Sequence, residues 1–145
     1  MEGKGTGNIA LLVLRLGLGA IMVAHGAQKV FGLWGGSGFT QTVENFQGMG
    51  IMPVLAYLAM AAELLGGLAL IIGLLGRVAA FGIAIVMIVG IFKVHWANGF
   101  FQANGGFEYP LALLAIAIAL MISGMGSLSV DAALSKRSRS GPERG

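Results

Sequence analysis

The chain has 145 residues, of which 57% are hydrophobic and only 10% are charged, and its formal net charge is +3. These proportions exclude an ordinary soluble domain, in which about 25% of residues are charged, and they indicate an integral membrane protein. The chain contains no cysteine, which excludes disulfides, thiolate metal sites and covalent c-type haem, so a redox role would need a bound cofactor or a partner protein.

Four long apolar runs follow one another, at residues 9–30, 53–75, 78–96 and 107–123. A helix needs about 20 apolar residues to cross about 30 Å of hydrocarbon, and it satisfies all of its backbone hydrogen bonds within one segment. The sequence therefore predicts an all-α fold, an integral membrane four-helix bundle. Because Arg15 interrupts the first run early, we expect this run to be a mature helix and not a cleaved secretion signal.

The link between the first two runs, residues 31–52, has a pattern of its own. Phe39, Val43 and Phe46 recur there at helical spacing, which predicts a short amphipathic helix at the membrane interface in the first outer loop. Pro53 then begins the second span, at a position where its missing N–H does no harm.

Lysine and arginine are distributed unevenly between the two sides of this arrangement. The outer loops contain neither residue, whereas the opposite side carries Lys4, Arg77, Lys136, Arg137, Arg139 and Arg144. Positive charge marks the cytoplasmic side. The sequence thus predicts a cytoplasmic N-terminus (1–8), a multi-pass membrane domain (9–126) and a basic cytoplasmic tail (127–145), which suits anionic lipid headgroups and not nucleic acid.

Ionisable residues inside or beside the apolar runs are the main functional signal, because a charge at membrane depth costs about 3 kcal/mol or more. The rise per residue places Arg15 about 9 Å and Glu63 about 18 Å from the cytoplasmic edge. The remaining charged or titratable residues of the runs lie at about 24–28 Å, near the outer edge, with His25 and His95 at similar depth. They are His25, Lys29, Lys93, His95 and Glu108.

Each group of residues allows two interpretations. Glu63 forms a structural ion pair with Arg15 or a hydrogen bond to His25, or else it is a titrating carboxyl that carries protons. The outer residues reach the interface as snorkelling or paired side chains, or they form a polar pocket that suits a quinone headgroup. The predicted pocket consists of His25, Lys29, Glu63, Lys93, His95 and Glu108.

No catalytic residue and no metal site is predicted. His25 and His95 are the only histidines, and they could in principle ligate haem from two helices. Lys93 beside the site and Glu63 below it favour a hydrated polar cavity instead.

Three segments resemble the DoxX family of small bacterial membrane proteins. They are LVLRLGLGAIMVAHGAQKVFG, AELLGGLALIIGLLGRVAA and VHWANGFFQANGGFEYPLALL. The resemblance covers about residues 11–132, and it implies a four-helix protein of the bacterial inner (plasma) membrane. Relatives include the quinone-linked subunit of an archaeal thiosulfate:quinone oxidoreductase and proteins of membrane complexes that respond to oxidative and thiol stress.

The pocket and the resemblance together predict a quinone-interacting or accessory subunit of a membrane oxidoreductase or oxidative-stress complex. Its partners would be the lipid bilayer and other subunits or a second copy of the chain, and quinone would be its only cofactor. The sequence does not decide whether the chain is itself an enzyme. A structural or assembly subunit is the alternative, and a small transporter is a third interpretation, which four helices per chain disfavour.

Overall fold

The computed structural model describes residues 2–139, and it describes side chains from residue 5 onward. Lys4 and Arg144, which the topology prediction uses, lie outside that range of side chains. Within residues 2–139 the chain is helical and contains no strand. The helices are α1 (Glu2–Phe31), α2 (Gly38–Gly48), α3 (Pro53–Ile72), α4 (Gly76–Gly90), α5 (Glu108–Ser123) and α6 (Val130–Arg139).

Three helical segments are long and apolar enough to cross a membrane: Gly5–Phe31, Pro53–Ile72 and Gly76–Asn98. The third includes α4 and its continuation through a π-helical turn, Ile91–His95, and a 3-10 turn, Trp96–Asn98. The fourth predicted span, α5, is apolar but has only 16 residues, a length of about 24 Å. The membrane character of the chain is thus clear, whereas a fourth crossing stays a prediction.

The helices α1, α3, α4 and α5 form a ring. α1 packs mainly on α3, α3 on α4, and α4 on α5, and contacts between α1 and α5 close the ring. Its centre is filled by apolar side chains, among them Leu18, Met22, Leu70, Ile83 and Leu120. Many large apolar side chains face outward instead, as expected where the surroundings are lipid.

Glycines set the register between α1 and α3. A methyl group on Gly26 would lie 2.6 Å from the backbone nitrogen of Leu64, and one on Gly19 would lie 2.8 Å from the carbonyl oxygen of Gly67. Since the two backbones approach this closely, no larger residue fits there. The contacts fix an antiparallel register in which Gly26 lies opposite Leu64.

Both described chain ends lie at one end of the bundle, the turn end, which also holds the turn between α3 and α4. The Asn8 side chain of α1 accepts a hydrogen bond from the Ser127 backbone N–H (2.8 Å). Asp131 of α6 accepts hydrogen bonds from the N–H groups of Leu75 and Gly76 at the start of α4. The sequence predicts no helix at α6. The opposite end, the loop end, carries α2 and residues 99–107.

Candidate functional site

A partly buried ion pair between α1 and α3 is the centre of the site. Lys29 Nζ lies 2.7 Å from Oε1 and 2.6 Å from Oε2 of Glu63, whose side chain is 3% exposed. Glu63 is near the middle of the 20-residue helix α3, about 15 Å from its start. Lys29 reaches it from the last turn of α1, so the long lysine stem carries the ammonium group into the bundle.

The predicted ion pair between Arg15 and Glu63 is wrong. Arg15 is 1% exposed, and its guanidinium group donates to four carbonyl oxygens, those of Leu70, Ile71, Met125 and Leu128. Two of these carbonyls belong to the last turn of α3, where helix geometry leaves carbonyls without partners. The register explains the error, because Arg15 lies level with the C-terminal turn of α3, about two turns away from Glu63.

His25 lies one helical turn before Lys29, on the same face of α1. It is half-buried, and it lies within electrostatic range of both members of the ion pair. Within residues 5–139 its ring nitrogens form no hydrogen bond, yet they are not among the fully enclosed polar atoms. The ring is therefore free to bind a ligand.

Lys93 and His95 belong to the π-helical turn at the end of α4; such turns occur frequently at functional sites. His95 Nδ1 lies 2.7 Å from the carbonyl oxygen of Gly105. Because a carbonyl only accepts, Nδ1 carries the proton in this contact, and Nε2 of a neutral ring can accept a hydrogen bond. Lys93 is exposed and pairs with no acidic side chain of the described range.

Glu108, which the sequence assigns to the pocket, lies elsewhere. Its Oε1 accepts a hydrogen bond from the Gln102 backbone N–H (2.7 Å), and its own N–H donates to the Phe100 carbonyl. These contacts fix residues 99–107 against the start of α5. The carboxylate thus stabilises this loop and the positive N-terminal end of α5, and it does not face the cavity.

The other five predicted pocket residues line one cavity of about 950 Å³. Its walls come from α1, α3, α4 and α5, and α2 covers it at the loop end. Most of the lining is apolar, including Met22, Leu55, Leu58, Val86 and Leu113. The polar members are His25, Lys29, Ser37, Thr42, Asn45, Glu63, Lys93, His95 and Tyr109.

The two histidines lie at different levels in this cavity, contrary to the sequence prediction. Gly26 contacts Leu64, which places His25 about 12 Å from the end of α3, whereas His95 lies about 27 Å along α4 and its continuation. The depths predicted from the sequence place residues 9 and 75 in one plane at the cytoplasmic edge. In the structure, α1 extends past the end of α3. Across the described residues, no group of three or more His, Asp and Glu side chains could hold a metal ion.

Sequence reasoning missed the contribution of α2. Thr42 is buried and donates a hydrogen bond to the Lys29 carbonyl (3.2 Å), and Phe39 stacks on Tyr57 of α3 with ring centroids 5.6 Å apart. These contacts hold α2 over the ion pair. The sequence signal for this contribution was the polar residues between the apolar positions of α2, because one face of an amphipathic helix has to pack against the bundle.

Comparison with known proteins supplies a family. The family model for DoxX matches residues 10–96, which include the five cavity residues but not Glu108. An uncharacterized protein of Haemophilus influenzae is 29% identical over 140 residues, covering 94% of this chain and 89% of that protein. A Bacillus subtilis protein named "Putative oxidoreductase CatD" is 32% identical over 133 residues, covering 92% of each. No solved structure matches the chain.

Proposed function

This chain belongs to the DoxX family of membrane proteins, and we propose that it binds a quinone in the cavity between its helices as an accessory subunit of a membrane oxidoreductase. The observation that carries the proposal is the cavity of about 950 Å³, whose apolar walls surround two histidines, two lysines and a glutamate. A volume of this size accommodates a small organic ligand.

The side chains of the cavity fit the chemistry of a quinone. A quinone head has two carbonyl oxygens that accept hydrogen bonds, and its ring and tail are apolar. His25 offers a free ring edge, and Lys93 offers an ammonium group without an acidic partner in the described range. The apolar side chains of α3, α4 and α5 would surround the ring, while the Lys29–Glu63 pair would hold His25 in a polar setting.

A bound quinone would accept or release protons together with electrons when it is reduced or oxidised. His95 Nε2, left free by the Nδ1 contact with Gly105, can take up or release a proton at the loop end of the cavity. His25 can do the same beside the ion pair. Electrons would come from another subunit, and the name of the Bacillus subtilis relative supports such a redox setting.

The proposal includes a location. The loops of the loop end, residues 32–52 and 97–107, contain no lysine or arginine, whereas Arg77, Lys136, Arg137 and Arg139 occupy the turn end. By the positive-inside rule the turn end is cytoplasmic. The chain would then cross a bacterial inner membrane with both termini inside, α2 on the outer surface and the cavity open toward the outside.

Equilibrium binding tests the proposal. The purified chain in quinone-free lipid nanodiscs is titrated with a quinone, and the bound fraction is measured by extraction after removal of free ligand. We expect saturation near one quinone per chain, and His25→Ala should weaken binding about tenfold, as expected for the loss of one good hydrogen bond in a buried site. Glu44→Gln, on the exposed face of α2 and outside the cavity lining, is the matched control and should bind like wild type.

The alternative of a structural subunit makes the opposite prediction. In that case the polar residues only set helix register, wild type shows no saturable uptake of quinone, and the cavity variants assemble with partner proteins as wild type does. Uptake that does not saturate, or that His25→Ala leaves unchanged, would contradict the proposed function.

A further inference from the structure

α3 and α4 are in contact in the half of the bundle next to the turn end. Toward the loop end they leave a gap between them. A methyl group added to Gly66 would lie 3.6 Å from the Ile83 side chain, and one added to Gly82 would lie 3.5 Å from Cβ of Ala62. From the level of Ala62 and Gly82 toward the loop end, the facing residues of the two helices line the cavity. On α3 these include Leu55, Leu58 and Ala59, and on α4 they include Ile85, Val86, Val89 and Gly90.

The side chains that border this gap line the cavity and are at the same time exposed on the surface of the bundle. Leu55, Leu58, Ile85 and Val89 all line the cavity, and they are also 46%, 60%, 46% and 38% exposed. Gly90 has no atom within 4 Å of the position that a side-chain carbon would occupy. The cavity is therefore open sideways, through an apolar gap in spanning segments whose surroundings are lipid.

The charges in the inner part of the cavity, which is the part beside His25 and away from the loop end, favour a ligand with a neutral polar head. Lys29 is neutralised by Glu63, so the inner part of the cavity carries no net charge beside His25. The second cation of the cavity lining, Lys93, has no acidic partner in the described range and lies at the loop end instead. A phospholipid phosphate buried at the inner part would lack a counterion, which burial makes costly.

From this geometry we infer that the ligand is a quinone with a long apolar tail, and that it reaches the cavity from the bilayer through the gap between α3 and α4. This inference rests on the proposed function and adds the substrate class and the path to it. The head lies beside His25, and the tail passes Gly90 and leaves between Leu58 and Ile85 into lipid. A tail-less quinone partitions less into the bilayer, so less of it reaches this gap at the same total concentration.

Photolabelling tests the position of the tail without any activity measurement. A quinone with a diazirine in the part of the tail next to the head is bound to the full chain in nanodiscs and illuminated, and the labelled residues are mapped by mass spectrometry. We expect labels on the lipid-facing edges of α3 and α4, around Leu58, Ile85 and Val89, and we expect an excess of unmodified tailed quinone to suppress them.

Two glycines provide matched variants. Both Gly90 and Gly17 lie in helices with no atom within 4 Å of an added side-chain carbon, but only Gly90 lines the cavity. Gly90→Leu should therefore fill the gap and reduce the suppressible label about tenfold, with Gly90→Ala intermediate. Gly17→Leu should stay within about twofold of wild type, and the unfolding midpoint of each variant shows that the fold is intact.

The outcomes separate the two claims. Label that unmodified quinone does not suppress contradicts quinone binding itself, and with it the inference. Suppressible label on α2 or α1 alone, or equal effects of Gly90→Leu and Gly17→Leu, leaves quinone binding in place and overturns the lateral path.

Discussion

Arg15 and Glu63 satisfy a buried charge in two different ways. Arg15 donates to four backbone carbonyls and joins α1, the end of α3 and the segment after α5. Its planar group, with several donors in fixed directions, suits such a junction better than lysine does. Glu63 instead depends on the Lys29 ammonium group. Arg15 is therefore structural, whereas Glu63 lies where a ligand can meet it.

Replacement of Arg15 should destabilise the fold severely. Arg15→Met leaves four carbonyls without their donor, and we expect the free energy of unfolding to fall by about 3 kcal/mol. Arg77→Met is the control, because Arg77 is exposed and makes a single long contact with the Ile122 carbonyl (3.4 Å); it should lose no more than about 0.5 kcal/mol. Denaturation in mixed micelles measures both, and equal losses would contradict the assigned role.

The ion pair gives a double-mutant prediction. Lys29→Met leaves the Glu63 carboxylate buried without its partner, and we expect a loss of about 3 kcal/mol in unfolding free energy. Lys29→Met combined with Glu63→Met removes both charges and should recover most of this loss. The same denaturation assay measures the cycle. Additive losses in the double variant would show that the two side chains do not interact.

At this scale the sequence predicted most of the polar lining of the cavity but not the partners of its charges. Five of the six predicted pocket residues line one cavity, and their function stays a prediction. Pairing depends on helix register, which the Gly26 and Gly67 contacts decide and which residue counting from presumed membrane edges does not give. Glu108 was misplaced because its loop folds back on the start of α5.

Among the elements, the contact between α1 and α3 positions the site. Gly26 lies between His25 and Lys29, so the close approach at Gly26 brings Lys29 within reach of Glu63. A side chain at this position would move the helices apart. The glycine contact and the ion pair thus depend on each other.

Alanine substitution of two glycines in α1 tests this dependence. Gly26→Ala places a methyl group 2.6 Å from the Leu64 backbone, and the required helix shift should cost about 2 kcal/mol of unfolding free energy. Gly17 has no neighbour within 4 Å, so Gly17→Ala should stabilise the chain by about 0.5 kcal/mol through helix propensity. Thermal unfolding in detergent distinguishes them, and a neutral Gly26→Ala would contradict the packing described.

Element boundaries were predictable where apolar runs decide them. α3 begins at Pro53, where proline suits the first helical turn, and it ends at Ile72 before Gly73 in the left-handed conformation. The π-helical turn after α4 has no comparable signature in the sequence. α6 was missed because its stability comes from the Asp131 contacts with α4 and not from an apolar run.

For the whole molecule, the distribution of charge predicts orientation. The chain has no cysteine, so single-cysteine variants can be labelled without background. Asn104→Cys, at the loop end, should react with a membrane-impermeant maleimide in intact cells, because the proposed orientation places that end outside. Ser135→Cys in α6 should react only after the cells are permeabilised. The reverse pattern would contradict the orientation, and outside labelling of both would contradict an even number of crossings.

The central claim is that the cavity between the helices binds the head of a tailed quinone beside His25. The most direct measurement is a crystal structure of the chain grown from a lipidic mesophase that contains a tailed quinone. The account predicts density for the head within hydrogen-bond distance of His25 and for the tail between α3 and α4. A cavity filled by phospholipid, or a quinone bound only on the outer surface of the bundle, would contradict it.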